Sequence, residues 1–212
     1  MKTIIAIPCM DSVQTEFAQS LCRLQTVGSI THKFHSCSLV YNARNELGKV
    51  AVEEGSDFVL WLDSDVIFPS SLLVDMIADM PGKDILTGVY HMRRPPYMPV
   101  IWKTLRQGLT AEESVSEIYT DYPKDGLFEV EACGFGCVLM RTEVLESVLT
   151  KYHELFQPLP GYGEDLSFCI RARGCGYKIH CDPGIQVGHK AATIVTKDTW
   201  EAYRKKTGGD VK

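Results

Sequence analysis

The stretch Asp57-Phe58-Val59-Leu60-Trp61-Leu62-Asp63-Ser64-Asp65 indicates the fold class of this chain. After its first residue it is apolar through Leu62, and three polar residues then follow. An uninterrupted apolar run is typical of a strand that is covered on both faces, as in the parallel sheets of α/β proteins. Because side chains on a strand alternate between its two faces, we expect Asp63 and Asp65 to point the same way beyond the strand's carboxyl end.

Two carboxylates at that edge form a candidate metal site. Ligands of open α/β sheets bind outside the carboxyl ends of the strands. Close carboxylates repel each other and need a cation to stay ionised together. Oxygen ligands suit Mg²⁺ or Mn²⁺, which commonly bridge phosphate oxygens. An Asp-rich turn ahead of a helix that starts at Pro69 would contain the same residues, so the motif alone leaves both interpretations open.

Strands and helices alternate through residues 1–90, which predicts a parallel sheet with right-handed crossovers. The predicted strands are 3–8, 35–41, 57–62 and 85–90, and the predicted helices are 11–24, 42–53 and 69–80. Beyond a loop at 91–99, short strands are predicted at 100–103, 115–120, 127–132 and 177–181, with helices at 142–152, 164–173 and 196–206. We expect one domain, with a nucleotide-binding half (1–90), an acceptor and catalytic half (91–195) and a helical tail (196–212).

Composition limits the partners of the chain. Its 212 residues are 45% hydrophobic, enough for one core, and its net charge of −5 argues against a broad nucleic-acid-binding surface. No apolar run reaches the about 18–20 residues of a membrane helix, and the N-terminus lacks signal-peptide features. We therefore expect a cytoplasmic protein, or one attached to a membrane only through a partner.

The eight cysteines are spread along the chain and form no Cys-x-x-Cys pair. Cys175, His180, Cys181 and His189 match no common zinc-site spacing. The pattern predicts reduced thiols that pack as small apolar residues.

A second acidic motif lies in Gly161-Tyr162-Gly163-Glu164-Asp165-Leu166-Ser167-Phe168-Cys169. Glu164 and Asp165 fall at a predicted helix start, where the helix dipole favours negative charge. An acidic pair on a glycine-flanked turn is also suited to act as a general base toward a hydroxyl acceptor. Both interpretations stay open at this point.

Two further segments carry candidate site residues. His189 follows a short strand, and a metal held by one or two Asp residues needs further donors, although a lone His more often serves in hydrogen bonding. Gly134 and Gly136 would let backbone approach a ligand closely, or let a strand pack tightly under a helix. The basic loop 91–97 is expected to border the acceptor or the diphosphate, and its charge would suit an anionic acceptor; an ordinary solvated loop is the alternative.

In their order and spacing, four motifs together resemble the GT-A glycosyltransferases, specifically family-2-like enzymes: Ala43-Arg44-Asn45, 58–65, Gly134-Phe135-Gly136 and 163–169. The resemblance covers most of the chain, from the first strand to His189. It implies an α/β GT-A (nucleotide-diphospho-sugar transferase) fold, in which helices flank a mainly parallel central sheet beside a smaller mixed region. It also implies a hexosyltransferase-type enzyme that uses Mn²⁺ or Mg²⁺ to move a sugar from a nucleotide sugar to a hydroxyl acceptor.

The resemblance assigns five residues to the nucleotide and the metal. Pro8 and the residues after it, among them Asp11, would line the base pocket, and Arg44 would contact the nucleotide near the base or ribose. Asp63 would lie near the ribose or a metal-bound water, and Asp65 would coordinate the metal. The segment 36–41 offers no acidic residue of the kind that family members use to bind uracil or ribose, which leaves the base open.

The remaining assignments concern the transfer step. His189 resembles an additional metal ligand, and Asp165, with Glu164 as the alternate, resembles the catalytic base. Gly134 and Gly136 would lie beneath the donor sugar and acceptor. A single displacement at the anomeric carbon would invert it, although GT-A folds host both stereochemical outcomes.

Three other functions remain as alternatives. A nucleotidyltransferase would carry a basic Gly-rich loop after its first strand, where this chain has Pro8-Cys9-Met10-Asp11. An Asp-x-Asp phosphatase would carry its motif after the first strand, with Thr or Val where Ile67 stands. A non-catalytic nucleotide-sugar-binding module would bind the donor without turnover.

Overall fold

The computed structural model describes residues 1–191 and 194–208; the last part of the predicted tail, 209–212, lies outside the described residues. The strands are β1 (Lys2–Cys9), β2 (Ser29–Ser36), β3 (Phe58–Leu62), β4 (Val66–Ile67), β5 (Ile85–Val89), β6 (Ile101–Arg106), β7 (Val115–Ile118), β8 (Phe128–Val130), β9 (Ala132–Cys133), β10 (Cys137–Arg141), β11 (Ile179–Gln186), β12 (Gly188–Lys190) and β13 (Ile194–Val195). The helices are α1 (Thr15–Arg23), α2 (Val40–Glu53), α3 (Leu72–Asp79), α4 (Thr142–Tyr152), α5 (Glu164–Gly174) and α6 (Lys197–Lys206).

A seven-stranded sheet, in the order β2-β1-β3-β10-β5-β11-β8, forms the centre of the molecule. Strands β2, β1, β3, β5 and β11 run in one direction, while β10 and β8 run opposite to their neighbours. Two three-stranded sheets, β13-β12-β4 and β7-β6-β9, lie beside it. The predicted α/β architecture, with a largely parallel sheet and a smaller mixed region, is confirmed. Strand β10 is an addition to the predicted strands, and together with β8 it makes the sheet mixed.

The second predicted strand is wrong. The strand is Ser29–Ser36 rather than 35–41, because β2 ends at Ser36 and α2 begins at Val40. Strand β2 lies at the edge of the sheet and, within the described residues, pairs with β1 alone, so exposed and half-buried side chains largely alternate along it. An edge strand needs no apolar run, and the apolar residues at 39–41 belong to the start of α2 instead.

Three predicted helix starts also need correction. Helix α1 begins at Thr15 rather than at residue 11, because the N–H of Gln14 is held by the carbonyl of Ser64 at 3.0 Å. Helix α2 is preceded by Leu39 rather than capped by Asn42, and α3 begins at Leu72 rather than at Pro69. Each shift falls within the first turn or two, where sequence signals of helix starts are weakest.

The apolar run in β3 is buried between aromatic side chains. Trp61 packs edge-on against Phe135 and Phe156, with ring centroids 6.0 and 5.1 Å apart, and Phe156 stacks on Phe168 at 4.6 Å. Burial of one such ring stabilises the fold by roughly 1.5–3 kcal/mol, before the extra gain of edge-on pairing. This cluster fixes the end of β3, and therefore fixes where residues 63–65 leave the sheet.

The thiols and the helices complete the description. Four of the eight free cysteines are buried as small core residues, as predicted: Cys133, Cys137, Cys169 and Cys181.

In the described part of the chain, none of the helices combines the length and apolar character needed to cross a membrane.

Candidate active site

The turn after β3 is held by the backbone of two other segments. The N–H of Asp63 donates to the carbonyl of Gly136 at 3.2 Å, and the carbonyl of Asp65 accepts the N–H of Lys190 at 2.8 Å. Strand β12 pairs with β4 so that His189 lies opposite Val66. The Asp-x-Asp turn therefore lies between Gly136 and the strand that carries His189, which are far apart in the sequence.

Arg44 joins the two acidic motifs. Its side chain is 3% exposed, its Nη2 donates to Oδ1 of Asp63 at 2.8 Å, and its Nε lies 3.5 Å from Oε1 of Glu164. Its Nη1 also donates to the carbonyl of Phe135 at 3.3 Å. Burial acts to lower the pKa of this guanidinium, but the charges of Asp63 and Glu164 outweigh it and raise the pKa above its usual value. Arg44 is thus a permanent cation between the two motifs.

Asp65 has different partners from Asp63. Its Oδ2 accepts from Nη1 of Arg93 at 2.6 Å, and its Oδ1 lies 3.5 Å from Nε2 of His189. Burial would raise the pKa of Asp65, but the bond to His189 and the charges of His189 and Arg93 bring it below its ordinary value. Arg93 comes from the loop 91–97 and is 54% exposed on its side chain, so solvent can compete with this ion pair.

The orientation of His189 suits a metal ligand. Its Nδ1 lies 2.9 Å from the carbonyl of His91. Only a protonated Nδ1 can donate to a carbonyl oxygen, so this contact assigns a proton to Nδ1 and makes Nε2, which faces Asp65, the nitrogen that could bind a metal. Metal-bound histidines are commonly held in this way, through the nitrogen that does not bind the metal.

The donor set fits Mn²⁺ or Mg²⁺ only in part. Nε2 of His189 and a carboxylate oxygen of Asp65 are close enough to share one cation, and their chemistry suits such an ion. Among residues 1–191 and 194–208, however, no three His, Cys, Asp or Glu side chains converge as a complete ligand set. Asp63, the other predicted ligand, is turned toward Arg44. A cation here would take its remaining ligands from a bound diphosphate and from water.

The predicted base candidates stand at the first turn of α5. Asp165 accepts the N–H of Leu166 through Oδ1 at 2.8 Å. Burial, followed by repulsion from Glu164, raises the pKa of Asp165 to about 6, although the Leu166 N–H and Arg44 act in the opposite direction. A carboxylate with that pKa accepts a proton more readily than an ordinary Asp at neutral pH.

The two predicted glycines are explained by Tyr90. A Cβ on Gly134 would lie 2.1 Å from Oη of Tyr90, and one on Gly136 would lie 2.8 Å from its ring. The N–H of Gly136 also donates to Oη of Tyr90 at 3.1 Å. Close packing of a buried tyrosine therefore requires glycine at both positions, whatever else these residues do. Sequence reasoning missed Tyr90, because a tyrosine at the end of an apolar strand gives no signal of its contacts.

A cleft of about 400 Å³ opens between these groups. Of the ten predicted site residues, the cleft is lined by Pro8, Arg44, Asp63, Asp65, Glu164 and His189. The predicted residues that do not line it are Asp11, Gly134, Gly136 and Asp165. It is also lined by residues outside the sequence-based set, namely Cys9, Met10, Cys37, Ser38, Val40, Ala43, Ser64 and Arg93.

Four of the extra lining residues lie at two turns: Cys9, Met10, Cys37 and Ser38. One follows β1 and the other joins β2 to α2, where the N–H of Cys37 donates to the carbonyl of Cys9 at 3.0 Å. Because the second strand was predicted six residues too far along the chain, this second turn could not be recognised as part of the site. Because β2 is a polar edge strand, it lacks the apolar run that would have located it in the sequence.

No protein-family model and no curated protein matches the sequence significantly. Among solved structures, A197 from STIV is similar over 94% of this chain and 92% of its own, with a TM-score of 0.66 and 18% identity. GalNAc-T7, solved with UDP, GalNAc and Mn²⁺, is similar over 89% of this chain and 43% of its own, with a TM-score of 0.59 and 12% identity. TarS from S. aureus, solved with UDP, is similar over 85% of this chain and 57% of its own, with a TM-score of 0.51 and 17% identity.

These similarities concern the fold. The chain has a GT-A-like fold, which confirms the predicted resemblance. It spans about half the length of the GalNAc-T7 and TarS chains.

Proposed function

We propose that this chain is a metal-dependent glycosyltransferase that moves a sugar from a nucleotide-diphosphate sugar to a hydroxyl acceptor. The proposal rests on one observation: Oδ1 of Asp65 lies 3.5 Å from Nε2 of His189, and both residues line the cleft. Their approach matches the ligand pair that the sequence motifs imply. Uridine nucleotides are the first donors to test, because GalNAc-T7 and TarS were both solved with UDP.

The nucleotide would occupy the cleft beside Pro8 and the turn at 37–40, with its diphosphate toward Asp65 and His189. A bound Mn²⁺ or Mg²⁺ would neutralise the charge that develops on the diphosphate leaving group. Asp63 and Glu164 lie on the same wall, and Arg44 offsets part of their negative charge, which lowers the repulsion that a diphosphate would meet. The predicted contact of Arg44 with the nucleotide remains part of the proposal.

The transfer step itself needs a base. The acceptor oxygen forms a bond to the anomeric carbon, the bond from that carbon to the diphosphate oxygen breaks, and the hydroxyl proton passes to Asp165. A single displacement of this kind inverts the anomeric carbon. Asp165 is our first candidate because its pKa is raised to about 6, while Glu164 is the alternate because its side chain lines the cleft.

Three substitutions test these roles in one assay, in which release of UDP from a UDP-sugar is measured with and without Mn²⁺. Asp65→Ala is expected to abolish metal-dependent turnover in a folded protein. Asp165→Asn is expected to retain donor binding and to lower transfer about 10²–10⁴-fold, the usual contribution of a general base. Normal turnover of Asp65→Ala would refute the metal role, and normal turnover of Asp165→Asn with loss in Glu164→Gln would move the base to Glu164.

One contact supports a second candidate, a nucleotide-sugar-binding module without turnover. Nη1 of Arg93 lies 2.6 Å from Oδ2 of Asp65, the carboxylate that a metal would need as a ligand. A protein in which Arg93 replaces the cation would bind the diphosphate through its guanidinium, without metal. Metal-independent binding of a UDP-sugar with no release of UDP would favour this candidate over the transferase.

A further inference from the structure

A second cavity, of about 740 Å³, adjoins the cleft. The two share Arg93 and His189 as a common wall. Tyr90 and Val100 also line the second cavity, together with residues of the loop 92–97. Its volume lies within the usual range of small-molecule sites. An occupant would lie next to the place where the donor diphosphate meets His189.

The charge of this cavity is opposite to that of the protein. The chain carries 27 acidic and 22 basic residues, yet Arg93 and Arg94 line the cavity, and none of residues 1–191 and 194–208 contributes a carboxylate to it. Arg93 is engaged with Asp65. Arg94 is exposed, and within residues 1–191 and 194–208 it forms no ion pair. An exposed guanidinium of this kind can donate two parallel hydrogen bonds to a phosphate or a carboxylate.

The loop that carries these arginines is held in place. Tyr97 has a φ of 58°, which is unusual for a residue other than glycine and persists only where neighbouring contacts enforce it. Its N–H donates to the carbonyl of Arg94 at 2.9 Å, and its ring meets that of Tyr203 on α6 edge-on at 5.4 Å. Tyr97 and Met92 thus form an apolar wall beside the charge of Arg94.

We propose that this cavity binds the acceptor, and that the acceptor is an anion. Its apolar or ring face would lie against Tyr97 and Met92, while a phosphate or carboxylate group would be held by Arg94. This inference rests on the proposed function, because only a transferase has an acceptor. It goes beyond that function by naming the chemical class: an alcohol or sugar that carries a phosphate or carboxylate.

The test uses three small probes on the full chain, with binding followed by NMR titration. Phenyl phosphate and phenylacetate each join a ring to an anion, and phenyl β-glucoside is the neutral comparison. At least one anionic probe is expected to bind about tenfold more tightly than the glucoside. Arg94→Gln is expected to weaken that probe about tenfold, the effect of losing a charge-assisted hydrogen bond, while the exposed Arg106→Gln leaves it unchanged. Equal binding of all three probes, or no effect of Arg94→Gln, overturns the proposal.

The same samples are then titrated with UDP and Mn²⁺, which separates this inference from the proposed function. An anionic probe that still binds with UDP present supports an acceptor site distinct from the donor cleft. A probe that UDP displaces lies at the diphosphate position, and that result overturns the acceptor site while leaving the donor site intact. Failure of UDP to bind contradicts the proposed function, and the acceptor role falls with it, whatever the probes do.

Discussion

The two aspartates of the Asp-x-Asp turn are only two residues apart, yet they have opposite surroundings. Asp63 is bonded to Arg44, which is 3% exposed and reaches Glu164 as well. Asp65 is bonded to Arg93, which is 54% exposed and comes from a surface loop. Asp63 is therefore bonded to a buried guanidinium, although its own side chain is 26% exposed, whereas Asp65 has an exposed partner that can be exchanged.

This difference assigns separate tasks to the two aspartates. A buried ion pair is costly to break, because the remaining charge is left without solvent or a partner. An exposed pair contributes about 0–1 kcal/mol and can be replaced by a better cation. We infer that Asp63 sets the geometry between the two acidic motifs, while Asp65 is available to a metal. The predictions below test this contrast, beginning with the largest expected effect.

Arg44→Ala should produce the largest loss. It removes the cation from between Asp63 and Glu164, and breaking a buried pair typically costs about 3–5 kcal/mol. Urea unfolding measures this free energy directly. Arg93→Ala is the matched control and should cost less than about 1 kcal/mol, since its pair is exposed. Equal losses in the two variants would show that the contrast between the two aspartates has no energetic basis.

Asp165→Asn should increase the stability of the folded protein at neutral to basic pH, by less than Arg44→Ala decreases it. Because folding raises the pKa of Asp165 from 3.8 to about 6, the folded state holds the proton more tightly than the unfolded chain. Stability from this group is therefore complete below about pH 4 and declines as pH rises through about 6. Removing the charge should raise the Tm by a few degrees at pH 8 and leave it nearly unchanged at pH 4, as scanning calorimetry would show. A lower Tm at pH 8 would contradict the raised pKa.

Arg93→Gln should give the smallest change in stability and an increase in metal affinity. Oδ2 of Asp65 is then no longer shared with a guanidinium, so Mn²⁺ meets less competition. We expect about a two- to fivefold lower Kd for Mn²⁺ by isothermal titration, which corresponds to the loss of an exposed ion pair of up to about 1 kcal/mol. Arg94→Gln, one residue along the same loop, should leave the Mn²⁺ Kd unchanged. Weaker Mn²⁺ binding in Arg93→Gln would mean that Arg93 supports the site instead of competing for it.

Sequence alone was sufficient for the fold class, and it named several residues that line the cleft. The buried run of β3 followed by two aspartates identified the central strand and the end of it that faces the cleft, because apolar content and alternation act locally. The pairing of β12 with β4, which brings His189 to Asp65, is a long-range contact that no local pattern encodes. The resemblance supplied His189, and the structure supplied its orientation through the carbonyl of His91.

The parts that sequence reasoning missed share one physical cause. Strand β2 lies at the sheet edge, where burial on one side only removes the apolar signal, and its misplacement hid the turn at 37–40. The pairing of Arg93 with Asp65 depends on the shape of the loop 91–97, which α6 stabilises through Tyr203. The residue types predicted that the loop is basic, but they could not predict that Arg93 would pair with Asp65.

The most direct test of the central claim is the thermal stability of the full chain with UDP-sugars, in the presence and absence of Mn²⁺. Ligand that binds only the folded state raises the apparent stability by about 2.7 kcal/mol at one hundred times its Kd. We predict that at least one UDP-sugar raises the Tm only when Mn²⁺ is present, and that Asp65→Ala loses this shift. An equal shift without Mn²⁺, or an undiminished shift in Asp65→Ala, would contradict the assignment of Asp65 as the metal ligand.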